Sequence, residues 1–175
     1  MELYEAIQKR RSIRKFKDKK IPQEVLERVL NAARLAPSAV NLQPWKFMVI
    51  RDPGTQKALV ECTRGAKHLH LGMGDASIVA CGNEEECYQR QGDYMKTFAI
   101  DVSIALDHMM LAAASEGLGT CWIGAFNEKK VKALLNIPDP WRVVGMTPIG
   151  YPNETPEFNG RKSLNEIVCY ERWEP

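Results

Sequence analysis

The sequence has few of the residues that mark a disulfide scaffold, a metal site or a membrane span. Five of its 175 residues are cysteines, an odd number without a CxxC pair, which argues against a disulfide framework. The three histidines have no zinc-like spacing, so no metal is expected. No apolar run approaches the roughly 18 residues that cross a bilayer, and the first residues lack a signal-peptide pattern. We therefore expect a cytoplasmic protein that does not associate with a membrane.

Positive and negative charges nearly cancel over the whole chain, but the basic residues are concentrated in one segment. The formal net charge is +2, and 45% of the residues are hydrophobic, which is ordinary for a globular protein. The length predicts a single domain over residues 1–175. Residues 9–20, however, hold eight basic side chains. Such a run is typical either of a nucleic-acid patch or of a solvated face.

Two short segments predict a site for a flat, phosphorylated molecule. Residues 10–14 place three guanidiniums and a hydroxyl close together, and guanidiniums suit a phosphate because each donates two parallel charge-assisted hydrogen bonds. Residues 36–45 form a small, polar turn between prolines that leads into an apolar strand, and its amides suit the edge of a heterocycle. The basic run is expected to divide into Arg10, Arg11 and Arg14, which face the bound molecule, and Lys17, Lys19 and Lys20, which face solvent.

Hydrophobic periodicity predicts helices and strands that alternate irregularly, which indicates an α+β fold. The predicted helices cover residues 3–10, 21–36, 55–64, 94–116 and 127–135. The predicted strands cover residues 45–50, 77–81, 120–123 and 143–149, with a last extended segment over 163–170. Loops are expected over residues 65–75 and 82–92. The longest helix has an apolar stripe over five turns, which we interpret as core and which also suits a subunit interface.

Five motifs in order resemble the FMN-dependent nitroreductase family. They are RRSIRKF at 10–16, LAPSAVNLQPWKF at 35–47, GLGTCWIG at 117–124, PIGYP at 148–152 and RKSLNEIV at 161–168. The resemblance spans nearly the whole chain and indicates a short, single-domain member. It implies a mixed, mainly antiparallel central sheet wrapped by helices. It also implies a homodimer with flavin sites at the subunit interface and a C-terminal tail that is exchanged between subunits.

The resemblance also implies the residues that bind FMN. In the family, the basic segment contacts the phosphate, ribityl chain and pyrimidine, the turn reaches the partner's flavin, and a backbone N–H, here that of Gly124, points at flavin N5. The implied cofactor-binding residues are Arg10, Arg11, Ser12, Arg14, Pro37, Ser38, Ala39, Asn41, Trp122, Ile123, Gly124 and Arg161. Many longer relatives have Glu-Gly where this chain has Gly-Ala, which preserves a backbone contact but not a Glu side chain. No side chain is expected to be catalytic, because flavin performs the electron transfer.

The implied function is an FMN-dependent NAD(P)H oxidoreductase. NADH or NADPH would reduce FMN, and a nitroaromatic, quinone or similar small acceptor would then reoxidise it in a ping-pong scheme. Phe98 and Met95 are expected to line the substrate pocket, and a small lid is expected within residues 82–97. Lys67, His68 and His70 are further candidates for contact with the cofactor or an acidic substrate.

Two alternatives stay open at this point. A relative in the same superfamily would use flavin differently, in a dehalogenase-like or cobalamin-ligand synthase-like reaction. A non-enzymatic protein would bind nucleic acid through residues 9–20. That run contains only one aromatic residue, Phe16, and so lacks the interleaved aromatics of a base-stacking surface. We therefore expect a small-molecule oxidant and no nucleic acid as the partner.

Overall fold

The computed structural model describes residues 2–64 and 74–173, which contain five α-helices and four β-strands. The helices are α1 (Leu3–Lys9), α2 (Gln23–Arg34), α3 (Pro53–Glu61), α4 (Phe98–Ser115) and α5 (Glu128–Leu135). The strands are β1 (Trp45–Ile50), β2 (Ala76–Asn83), β3 (Gly119–Thr120) and β4 (Trp141–Gly150). Residues 65–73, which include Lys67, His68 and His70, lie outside the described part of the chain.

The four strands form one antiparallel sheet in the order β1-β2-β4-β3. The central pairing of β2 with β4 runs from Ala76 opposite Ile149 to Asn83 opposite Trp141, and its register shifts between Ala80 and Cys81. The α+β class and the mainly antiparallel sheet are therefore confirmed.

Strand β2 lies at the centre of the hydrophobic core because both of its faces are covered. Ile78 and Ala80 pack against the cluster that α2 and α4 form on one face of the sheet. Val79 and Cys81 alternate with them and pack against α3 and α5 on the other face. A strand covered on both faces has an almost continuous apolar sequence, as ASIVAC shows.

Helix α4 is unusually apolar for its length. Its 18 residues have a mean hydropathy of 1.4, so that by length and composition alone the helix could cross a membrane, which the sequence analysis had not recognised. The helix packs against α2 and β2, and seven of its residues are buried. Core burial therefore accounts for part of its composition, since 39% of the helix is buried. The buried residues are Asp101, Val102, Ala105, Leu106, Met109, Met110 and Ala113.

The strand predicted over residues 120–123 is only the two-residue β3, and two other predicted elements were wrong. Helix α4 begins at Phe98 rather than near residue 94, because Gln91 pairs with Met95 across a tight turn in which Gly92 and Asp93 have φ of +57° and +62°. Met95 therefore precedes the helix and does not belong to its apolar stripe.

The second wrong element is the extended segment over residues 163–170. Residues Leu164–Glu166 form a single 3₁₀ turn, because the Glu166 carboxylate accepts bonds from the backbone N–H and the hydroxyl of Ser163, both at 2.8 Å. This is a capping box, which the Ser-x-x-Glu spacing could have revealed. The exchange of the tail between subunits stays a prediction.

One ion pair ties α5 to the sheet. Arg142 donates two parallel bonds to Glu128, at 2.8 and 2.9 Å, and a third to Glu84 at 3.3 Å. The Val143 N–H also donates to Glu128 at 3.0 Å. Hydrogen bonding from Arg142 holds the pKa of the Glu128 carboxyl below its usual value, against an opposing effect of burial.

This geometry predicts an acid-dependent loss of stability. Because the pKa of Glu128 is lower in the folded chain, its stabilising contribution is complete above the unfolded pKa and is lost as pH falls through the folded one. The free energy of unfolding should therefore fall as the pH drops below about 4.3, the ordinary pKa of a glutamate, and Glu128→Gln should flatten that slope in denaturant titrations. The exposed carboxyl of Glu85 is a matched control, and Glu85→Gln should keep the wild-type slope. Equal slopes in Glu128→Gln and the wild type would contradict this account.

Candidate flavin site

The basic segment lies along the edge of the sheet. Ser12 pairs with Thr120 of β3 as a parallel bridge, and the Ile13 N–H donates to the Thr120 carbonyl at 2.8 Å. Ile13 is buried against Gly119, where an added Cβ would lie 2.7 Å from the Ile13 Cβ. Glycine thus allows the segment to approach the strand closely. Ser12 and Arg14, on either side of Ile13, are only half-buried and remain open to a ligand.

Glu154 fixes the same segment from the other side. Its carboxylate accepts the backbone N–H groups of Arg14 and Lys15, the latter at 3.0 Å. The Arg14 guanidinium, in contrast, donates within the described residues only a long bond of 3.5 Å to the Ser12 carbonyl. Glu154 therefore positions the backbone of Arg14 without neutralising its charge. Sequence reasoning missed this residue, because nothing local relates positions 140 residues apart.

Two of the predicted phosphate-binding arginines meet at one aromatic ring. The Arg11 guanidinium lies 4.5 Å and that of Arg161 lies 5.3 Å from the centre of the Phe158 ring. Cation–π contact of this kind holds a cation without removing its charge. Arg10 and Arg11 also line a cavity of about 270 Å³ beside Thr120 and Glu154. The structure thus brings Arg161 from the end of the chain to the N-terminal basic segment.

Among the described residues, the predicted arginines form none of the ion pairs that other cations form. Within residues 2–64 and 74–173, Arg28, Arg51 and Arg142 form ion pairs with Asp or Glu. No such pair is formed in that part of the chain by Arg10, Arg11, Arg14 or Arg161. A group of neighbouring, unneutralised guanidiniums is suited to a phosphate dianion.

Three lysines of the basic run, Lys17, Lys19 and Lys20, line a different cavity from Arg10 and Arg11. Lys17, Lys19 and Lys20 are exposed, as expected. Lys20 pairs with the buried carboxylate of Asp75 at 3.2 Å, and the Lys19 ammonium lies 4.0 Å from the centre of the Tyr151 ring. Their contacts are those of surface side chains.

The turn after α2 has an unusual backbone. Val40, Asn41 and Gln43 have φ of +52°, +58° and +51°. A β-branched residue such as Val40 is rarely found there, and such strain costs on the order of 1–3 kcal/mol. The Ser38 hydroxyl accepts the Gln43 N–H at 2.9 Å, so it stabilises the turn itself. Pro37 and Asn41 are exposed, and Ser38 and Ala39 are half-buried.

A buried carboxylate of α4 reaches this turn. Asp101 accepts the Ala39 N–H at 2.9 Å and the Thr97 hydroxyl at 2.7 Å. Sequence reasoning assigned Asp101 no role, because a carboxylate within an apolar stripe gives no local sign of a partner 62 residues away.

The segment after β3 presents one aromatic ring and one glycine. Ile123 pairs with Met146 through two backbone bonds, of 2.8 and 3.1 Å, and its side chain is buried. Trp122 is 38% exposed and lies over Gly145, where an added Cβ would be 3.0 Å from the indole. Gly124 is exposed beside Trp122. Trp122 and Gly124 are therefore available for contact with a ligand, whereas Ile123 offers only its backbone.

The two predicted substrate residues are not placed on one helix face. Phe98 is half-buried, and its ring packs over Gly82 of β2, where an added Cβ would lie 3.0 Å from it. Met95 is half-buried in the loop before α4. Gly82 and Asn83, at the start of the predicted lid, belong to β2, so that only residues 84–97 form an irregular connection. The described residues contain no group of three or more His, Cys, Asp or Glu side chains that could hold a metal.

Comparisons with known proteins agree with this geometry. The family model described as Nitroreductase family matches residues 7–151. A Methanothermobacter thermautotrophicus protein, with the provisional name NADH dehydrogenase/NAD(P)H nitroreductase, is 35% identical over 99% of this chain and 88% of its own length. The crystal structure of a nitroreductase family protein from Clostridium difficile 630 superposes with a TM-score of 0.88 at 31% identity, over 99% of this chain and 100% of that chain. The structure of an FMN-dependent nitroreductase from Clostridium difficile R20291 superposes with a TM-score of 0.79 at 28% identity. The match covers 96% of this chain and 98% of that chain.

More distant relatives have other names. A 5,6-dimethylbenzimidazole synthase from Rhodospirillum rubrum is 29% identical over 83% of this chain and 79% of its own length. An iodotyrosine deiodinase from Nematostella vectensis is 26% identical over 95% of this chain and 74% of its own length. These names correspond to the two other flavin reactions that the sequence analysis left open.

Proposed function

This chain belongs to the nitroreductase family, and we propose that it is an FMN-dependent NAD(P)H oxidoreductase acting on nitroaromatics, quinones or similar small acceptors. NADH or NADPH is the proposed electron donor. A nitroreductase-type oxidoreductase is supported by the family and by the names of its relatives. The dependence on FMN is supported by the site itself and by the FMN-dependent nitroreductase that shares its fold. We further propose a single domain over residues 1–175 and a cytoplasmic location.

The strongest support comes from the arginines that form no ion pair within residues 2–64 and 74–173. Arg11 and Arg161 share the Phe158 ring, and the Arg14 guanidinium has donors to spare. In the proposed complex, Arg10, Arg11 and Arg161 bind the phosphate, and Ser12 donates its hydroxyl to the phosphate or ribityl chain. Arg14 contacts the pyrimidine edge, where a cation favours the negative charge of the reduced ring.

The remaining residues are proposed to surround the ring system. The exposed indole of Trp122 and the backbone of Ile123 and Gly124 form one wall, with the Gly124 N–H directed at N5. The turn residues Pro37, Ser38, Ala39 and Asn41 approach the flavin of the partner subunit. When it is bound, FMN supplies hydride and electron transfer from NAD(P)H to the acceptor in a ping-pong scheme. The protein binds and orients the reactants, with Phe98 and Met95 proposed beside the acceptor and a lid within residues 84–97.

Exposed apolar surface supports a homodimer. Helices α1, α2 and α4 line an open apolar groove of about 570 Å³ with Leu3, Leu35 and Leu111 along it. Leu3 and Leu35 are each 63% exposed. The C-terminal tail is also apolar and exposed, since Ile167 is 62% and Trp173 is 89% accessible. Large exposed apolar patches mark interaction surfaces, and we propose that a second subunit covers both.

A second candidate function is supported by the more distant relatives. Their names are those of a deiodinase and a dimethylbenzimidazole synthase, and both lie within the superfamily alternative. Anaerobic enzyme reduced with NADH or NADPH should be reoxidised rapidly by a nitroaromatic or a quinone in stopped-flow absorbance. Iodide release from iodotyrosine with no response to those acceptors would favour the deiodinase alternative. Loss of FMN in air with formation of dimethylbenzimidazole would favour the synthase alternative.

The proposed flavin site predicts a difference between two cations of the same basic run. Arg14→Ala should weaken FMN binding about tenfold or more, because a charge-assisted contact is lost. Lys19→Ala is the matched control, since Lys19 is exposed and its ammonium lies over the Tyr151 ring. Quenching of FMN fluorescence by the apoprotein measures both. Equal effects of the two substitutions would contradict the placement of Arg14 at the flavin.

If each flavin site uses both subunits of a dimer, one surface substitution should affect both dimer formation and FMN binding. Leu35→Asp places a charge in the apolar groove and should convert the dimer to a monomer in sedimentation velocity. It should also weaken FMN binding, because each site uses both subunits. Lys57→Asp, on the exposed surface of α3, should change neither property. A wild-type protein that sediments as a monomer and still binds FMN would overturn the shared site.

A further inference from the structure

The turn over residues 38–43 adopts a backbone conformation that its own sequence disfavours. Three of its non-glycine residues have left-handed φ, and one of them is Val40. Asparagine tolerates this region, but the branched Cβ of valine is crowded in it. Hydrogen bonds within the turn, such as that from the Gln43 N–H to the Ser38 hydroxyl, join residues on either side of Val40. They do not relieve the crowding of the Val40 side chain. A contact from outside the turn is needed to hold it in this shape.

Asp101 supplies that contact from the first turn of α4. One carboxylate oxygen accepts the N–H of Ala39, the residue before Val40, at 2.9 Å. The other oxygen accepts the Thr97 hydroxyl at 2.7 Å. Asp101 is 3% exposed and Thr97 is fully buried. Water therefore has little access to replace the bond to Ala39. A carboxylate near the start of a helix is also favoured by the helix dipole.

We propose that Asp101 is a positioning residue, which holds the turn over residues 38–43 in the strained shape that presents Ser38, Ala39 and Asn41 to the flavin. The inference rests on the proposed function, because the shape of the turn affects binding only if flavin binds there. Asp101 touches no ligand itself and acts through the Ala39 N–H. Its carboxylate sets the turn before the cofactor arrives, so that binding need not include the cost of ordering the turn.

The first test compares two substitutions of Asp101 in the full-length protein. Asp101→Ala removes the acceptor and should raise the dissociation constant for FMN about tenfold or more. Asp101→Asn keeps an oxygen that accepts the Ala39 N–H and should restore most of the affinity. Hydrogen–deuterium exchange of residues 36–45 in the apoprotein should rise in Asp101→Ala and stay near the wild-type rate in Asp101→Asn.

A second substitution separates positioning from general stability. Glycine adopts left-handed φ without crowding, so Val40→Gly should relieve the strain that Asp101 opposes. In the Asp101→Ala background, Val40→Gly should recover FMN affinity to within about threefold of the wild type. If Val40→Gly changes FMN affinity by the same factor in the wild-type and Asp101→Ala backgrounds, the proposed coupling is wrong.

Val102→Ala is the matched control for damage to α4. Val102 is the next residue on the helix and is fully buried, so that truncation should lower the melting temperature. It should leave both FMN affinity and exchange of the turn unchanged. Wild-type protein that does not bind FMN would refute the proposed function, whereas the exchange measurement on the apoprotein would still test Asp101. Unchanged exchange and unchanged FMN affinity in Asp101→Ala would overturn the positioning role.

Discussion

The pairing of residues 12–17 with the edge of the sheet is the constraint on which the basic site depends. Ile13 is fixed over Gly119 by a backbone bond to Thr120, and the Lys17 N–H donates to the Tyr151 carbonyl at 2.9 Å. These contacts are made by the backbone and by one apolar side chain. The arginines of the segment are consequently held in place while their guanidiniums remain available.

Holding several guanidiniums close together with no ion pair to any carboxylate of the described residues is unfavourable, because like charges repel. The structure offsets this repulsion with contacts that leave the charge intact. Arg11 donates to two backbone carbonyls, at 2.7 and 2.8 Å, and shares the Phe158 ring with Arg161. A bound phosphate would remove the repulsion, so the arrangement favours an anion in a way that an ordinary surface ion pair does not.

Local sequence patterns predicted most of the fold. They did not predict Glu154 and Asp101, which hold the backbone of the site in place. Strand β1 was predicted at its observed bounds, and α5 was predicted with its Asn127 cap, whose side chain accepts the Lys130 N–H at 3.2 Å. Both depend on neighbouring residues. The contacts of Glu154 and Asp101 span 140 and 62 residues, so that only the folded chain brings the partners together. The start of α4 was missed because Met95 continued the apolar spacing beyond a turn at Gly92 and Asp93.

The group of arginines and the membership of the nitroreductase family both support the proposal that this protein binds FMN and reduces it with NAD(P)H. The most direct measurement is the visible absorption spectrum of the purified protein, incubated with FMN and freed of excess, before and after anaerobic addition of NADH or NADPH. For a flavin reductase, we expect flavin bands that stay with the protein and bleach with at least one nucleotide. A protein that retains no flavin, or whose bound flavin is not bleached by either nucleotide, would contradict the proposal.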